Sequence, residues 1–120
     1  MPVGFLNKTL QAQLSSFPET INYNDLITYF TMTDQDLRAV PARSSAINRL
    51  GFAVQLCALR FMGFFIKNMN AVPEIIIEFL KEQLSLNQTL DIRYYAERRQ
   101  TRSDHIKAIE KHLSKSTPMS

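Results

Sequence analysis

The chain has one cysteine, three glycines and no tryptophan. A lone cysteine, Cys57, excludes an internal disulfide and a thiolate-rich zinc site, and it suits a reducing cytosolic setting. Three glycines are too few for the many tight turns of a sandwich or barrel. No charged start followed by a long apolar stretch marks a signal peptide. The most apolar stretch, residues 50–66, is about as long as a bilayer helix, but it carries Gln55, Arg60 and Gly51 and reads as a central soluble helix. No glycine loop of the kind that cradles nucleotide phosphates occurs. What is abundant is apolar side chain, 45% of 120 residues, which suffices for the core of one domain and argues against wholesale disorder.

The formal net charge of +3 hides an alternation. Residues 1–37 sum to −3 and residues 68–92 to −3, whereas residues 38–67 sum to +5 without one acidic residue and residues 93–120 to +4. A polyanion would be met by the two basic segments and avoided by the others.

Helical spacing fills most of the chain. Thr9 to Leu14 fits a short opening helix. A second starts at Tyr23 or Asn24, with Leu26, Ile27 and Phe30 as its apolar stripe. Thr33 followed by Asp36 is a capping box with Asp in place of Glu, opening a short helix that Pro41 ends. The longest pattern runs from Ser44 to Phe65. Ile47, Leu50, Gly51, Val54, Ala58, Phe61 and Phe65 recur at steps of three and four, and Phe52, Leu56 and Leu59 cover the other side, so this helix is expected to be buried nearly all round. Pro73 suits a first turn, with Glu74 beside the positive helix end. Ile76, Phe79, Leu80 and Leu84 face inward there, and Glu74, Glu78 and Glu82 outward. Asn87 or Thr89 restarts a short helix through Tyr94 and Tyr95. Thr101 with Asp104 reads as the cap of a last helix, whose inner stripe is Ile106, Ile109 and Leu113. The expected fold is all-α, a compact set of six or seven helices with helix-turn-helix-like elements around a long central helix. It spans residues 1–113 and leaves 114–120 as a flexible tail.

Arg38, Arg43 and Arg49 surround the start of the long helix, with Ser44, Ser45 and Asn48 between them. A helix start presents free amides to phosphate, Arg and Asn fit guanine and adenine edges, and two short helices before a longer one is the order of a helix-turn-helix unit. The same residues also fit a helix capped by Ser44 with solvated arginines. Arg60, three turns beyond Arg49, suits either a phosphate or a salt bridge to an acidic helix. The second basic segment interleaves Arg93, Arg98, Arg99 and Arg102 with Tyr94 and Tyr95, and Lys107, Lys111 and Lys115 share a face of the helix after it. Late lysines complement a helix dipole, but arginines that precede the helix do not. Base contact is assigned to Arg43, Asn48 and Arg49, and backbone contact to Arg38, Ser44, Arg98, Arg99, Arg102, Lys107 and Lys111.

His105 and His112 match no zinc-binding spacing and read as surface or partly packed residues. Cys57 reads as a small core residue. The carboxylates form no recognisable active-site pair. No metal, no cofactor and no catalysis are expected within these residues.

Residues 48–60, NRLGFAVQLCALR from Asn48 through Gly51 to Arg60, resemble the signature of the N-terminal domain of Tn3-family transposases. Met1-Pro2-Val3 through Phe5-Leu6, Ala71-Val72-Pro73, Tyr95-Ala96 followed by Arg98 and Arg99, and Thr101-Arg102 with His105 are similar in the same order. The resemblance implies a helical module that binds double-stranded DNA at transposon terminal inverted repeats, in the bacterial cytoplasm and away from membranes. It implies a much longer parent protein, whose acidic catalytic triad lies elsewhere and through which the module would self-associate. Two other readings stand beside it: an interaction module that docks its charged faces onto other domains or a second copy, and a small enzyme acting on a phosphorylated substrate.

Overall fold

A computed structural model of the chain describes residues 20–67, 69–95 and 99–116. Among them are five α-helices, two short 3-10 turns and no strand. The all-helical expectation therefore holds. The opening segment Thr9–Leu14 lies outside the described residues.

Helix α1, Tyr23–Phe30, starts at Asn22, whose side-chain oxygen accepts the Asp25 amide at 2.8 Å. It buries Leu26 and Phe30, four residues apart on one face. Helix α2, Asp34–Ala39, opens with the capping box foreseen in the sequence: the Thr33 amide donates to Asp36 Oδ2 at 2.9 Å and the Asp36 amide to Thr33 Oγ1 at 3.1 Å.

Helix α3, Ala46–Met62, is shorter at both ends than its apolar pattern. Ser45, rather than Ser44, caps its start by accepting the Asn48 amide at 3.2 Å. Gly63 ends it in the left-handed region at φ 83°, which favours glycine. Every residue from Leu50 to Ala58 is buried. Each large apolar side chain so enclosed is worth about 1.5–3 kcal/mol.

Helix α4, Glu74–Gln83, follows Pro73, which sits at the cap position just outside the helix. Helix α5, Arg99–Ser116, already includes Thr101, so the Thr101/Asp104 pair is interior and is not its cap. The helix also continues past residue 113 through Ser116. The segment expected to be helical before it contracts to a 3-10 turn, Ile92–Tyr94. Asp91 caps that turn through the Arg93 amide, and Tyr95 leaves it in an extended conformation.

α3 is the central element. α1 and α4 pack on it and on each other, while α5 packs on α3 and α2; α5 approaches neither α1 nor α4 among the described residues. Two glutamines tie loops to this frame. Gln55, inside α3, accepts the Ile66 amide at 2.8 Å and donates to the Ile66 carbonyl at 3.0 Å. Gln83, at the end of α4, accepts the Met32 amide at 2.7 Å and donates to the Phe30 carbonyl at 2.8 Å, holding the α1–α2 junction. Each satisfies backbone groups that have no helical partner and would be costly to bury alone.

Candidate nucleic-acid interface

Two contacts set the geometry of the basic segments by holding Tyr95 and α5 against α3 and α2. The first is at Gly51. A Cβ there would fall 1.9 Å from a carbon of the Tyr95 ring, so the ring occupies the space that any other residue would need. Tyr95 is buried, and its hydroxyl lies 2.7 Å from His105 Nδ1. The His105 ring stacks on Tyr95 at 5.5 Å and meets Phe52 edge-on at 5.1 Å. Burial pushes the Tyr95 hydroxyl well above its ordinary value and the His105 imidazole below 6.5. In the neutral imidazole with its proton on Nε2, Nδ1 accepts a hydrogen bond from the tyrosine hydroxyl.

The second contact is at Asp36, only 1% exposed. Arg60 forks onto it, Nη1 to Oδ2 at 2.6 Å and Nη2 to Oδ1 at 2.5 Å, and His112 Nε2 lies 2.8 Å from Oδ1. Burial would raise the carboxyl, but the bonds from Arg60, His112 and the Thr33 amide outweigh it and hold Asp36 well below the usual carboxylate range. Arg60 is thus committed to a salt bridge, which resolves the choice left open by the sequence.

Because His105 sits against Phe52 and His112 reaches the Asp36–Arg60 pair, α5 runs beside α3 in the same direction. The first turns of α3 and α5 therefore lie at the same end of the molecule.

Around that end, Arg43 is exposed in the loop before α3, and Ser44 is half-buried with its amide on the Pro41 carbonyl at 3.0 Å. Asn48 and Arg49, on the first turn of α3, are half-buried; Arg49 Nε is enclosed and has no hydrogen-bond partner among the described residues. Arg38 is exposed on α2. Arg102 is half-buried and donates to the Ile66 carbonyl, a neutral acceptor, and it has no ion pair among the described residues. Lys107 and Lys111 are exposed on the outer side of α5. Arg99 begins α5, and Arg98 lies outside the described residues. Arg93 is spent on Asp91, with its Nη2 at 2.6 Å from the carboxylate.

Sequence reasoning left Asp36 as a cap and did not see it as the meeting point of three helices. It also passed over Gln55 and Gln83. Gln55 had a signal, an amide alone in a run of apolar residues; Gln83 had none. Cys57 is fully buried and its thiol is pushed up to about 12 by that burial, which leaves it inert as a nucleophile.

The family described as a domain of unknown function, DUF4158, matches residues 5–119. The chain belongs to the DUF4158 family. It is 35% identical over 108 residues to the transposase for transposon Tn501 of Pseudomonas aeruginosa, an alignment covering 90% of this chain and 11% of that protein. It is 37% identical over 82 residues to the transposase for transposon Tn1546 of Enterococcus faecium, covering 68% of this chain and 8% of that protein. To the transposase for transposon gamma-delta of Escherichia coli K12 it is 30% identical over 112 residues, covering 93% of this chain and 11% of that protein. The resemblance to Tn3-family transposases thus holds over most of the DUF4158 chain, which spans about a tenth of the length of these relatives. No solved structure matches it. Among the described residues no helix is long and apolar enough to cross a membrane, and no cluster of His, Cys, Asp or Glu could hold a metal ion.

Proposed function

We propose that this DUF4158 chain is the N-terminal module of a Tn3-family transposase and binds double-stranded DNA at the terminal inverted repeats of its transposon. Strand cleavage and transfer belong, on this reading, to the rest of a much longer bacterial cytoplasmic protein, through which any self-association would act. The observation that carries the reading is the common end of α3 and α5. The Gly51–Tyr95 contact and the His105–Phe52 contact bring the first turns of the two basic helices together, as a single duplex requires. Helix starts present free amides, and arginines beside them add charge, so phosphate is the fitting ligand.

Arg43 and Asn48 are the base readers on this proposal, with Arg49 beside them. Arg38, Ser44, Arg98, Arg99, Arg102, Lys107 and Lys111 contact the sugar–phosphate backbone. Arg60 is not a DNA ligand, because Asp36 neutralises it. Titration of a fluorescent terminal-repeat duplex with the purified chain tests the proposal; tighter binding to the repeat than to a scrambled duplex is the expected result.

A further inference from the structure

We infer that the cleft between α1 and α4 is a protein-docking site, and that its occupant is a helix with an apolar stripe edged by lysine or arginine. The cleft, about 500 Å³, is lined by Tyr23 and Leu26 of α1 and by Ile75, Glu78, Phe79 and Glu82 of α4, among others. Tyr23 is 73% exposed and Ile75 52% exposed. Neighbouring apolar side chains left in water around a concavity mark an association surface, whereas scattered ones do not.

Charge selects the occupant. Glu74, Glu78 and Glu82 recur every four residues along α4 and are all exposed; Glu78 and Glu82 line the cleft together with Lys81. Lys81 approaches Glu78 at 3.7 Å, which leaves the row net negative. A phosphate backbone is repelled there. A row of carboxylates at one-turn spacing instead complements a row of Lys or Arg at the same spacing on a partner helix, and the adjoining cleft takes that helix's apolar side chains. A second copy presenting this same face would set carboxylate against carboxylate. Neither helix that forms the cleft is approached by α5 among the described residues. The inference does not rest on the DNA reading.

The test uses the purified chain and a synthetic amphipathic helical peptide with a leucine stripe flanked by lysines, followed by fluorescence anisotropy. The same peptide with glutamate for lysine is the control. The lysine peptide is expected to bind. Ile75→Ser, and separately Glu78→Gln with Glu82→Gln, should each weaken it by about tenfold, the effect of losing an interface anchor. All three side chains are exposed, and an unchanged circular dichroism spectrum confirms that the variants fold. Any one of three results overturns the inference: no binding of the lysine peptide, equal binding of the glutamate peptide, or binding indifferent to Ile75→Ser. Self-association in sedimentation that Ile75→Ser abolishes also overturns it, by making a second copy the occupant.

Discussion

Tyr95 fills the space that a side chain at residue 51 would take, and a Cβ on Gly51 would lie 1.9 Å from its ring. Gly51 is thus a helix-interior glycine kept for contact, despite the roughly 1 kcal/mol that glycine costs a helix relative to alanine. Gly51→Ala should lower unfolding free energy by about 1–3 kcal/mol through overpacking. Tyr95→Phe keeps the ring and loses only the bond to His105, so it should cost about 1 kcal/mol. Urea denaturation of both variants checks the order; a neutral Gly51→Ala would mean that Tyr95 does not sit there.

Asp36 joins α2, α3 and α5, and removing it takes away the carboxylate that Arg60 and His112 share. Asp36→Ala should cost about 3–5 kcal/mol, the usual effect of breaking one side of a buried ion pair. Exposed Lys111→Ala, on the same helix as His112, should fall within about 0.5 kcal/mol of the parent. Thermal unfolding of the two variants makes the comparison.

Acid should destabilise the fold in two stages. His105 is held below 6.5 by burial, so its neutral form is favoured on folding. That stabilisation is complete above 6.5 and is lost as pH falls through the lowered folded value. Asp36 is held below 3.8, so its contribution is complete above 3.8 and is lost only as pH falls further. Denaturant unfolding at a series of pH values should show both steps in the parent chain. His105→Gln should remove the first step and leave the second.

Much of the fold was legible because local rules and burial agreed. The Thr33/Asp36 capping box, the Leu26 and Phe30 stripe of α1 and the all-round buried helix Leu50–Ala58 each carry their own signal. The sequence misplaced the starts of α3 and α5, where Ser44 competes with Ser45 and Thr101 imitates a cap. Segment 87–95 was misread because its tyrosines fit a helical stripe, whereas Tyr95 is drawn out of the turn by its seat against Gly51. That seat, like the Asp36 junction, is a long-range contact that no periodicity announces. The role of Arg60 was undecidable from spacing alone, since an arginine on a polar arc suits phosphate and carboxylate equally.

Single alanine variants on repeat and scrambled duplexes separate readers from anchors. Arg43→Ala and Asn48→Ala should each cost about 1–3 kcal/mol on the repeat and narrow its advantage over the scrambled duplex. Arg98→Ala and Lys107→Ala should weaken both duplexes about equally. If Arg98→Ala or Arg102→Ala changes specificity while Arg43→Ala and Asn48→Ala do not, the reading element is the start of α5.

The central claim is that the adjoining starts of α3 and α5 form one DNA-binding end, and the salt dependence of duplex binding tests it most directly. Affinity for a terminal-repeat duplex is measured from about 50 to 200 mM salt for the parent chain, Arg38→Ala, Lys107→Ala and the double variant. The account predicts a steep linear fall of log affinity with log salt for the parent. It predicts a slope shallower by about one for each lost phosphate contact, with the two losses adding in the double variant. No binding at the lowest salt, or a slope indifferent to all three variants, would contradict it.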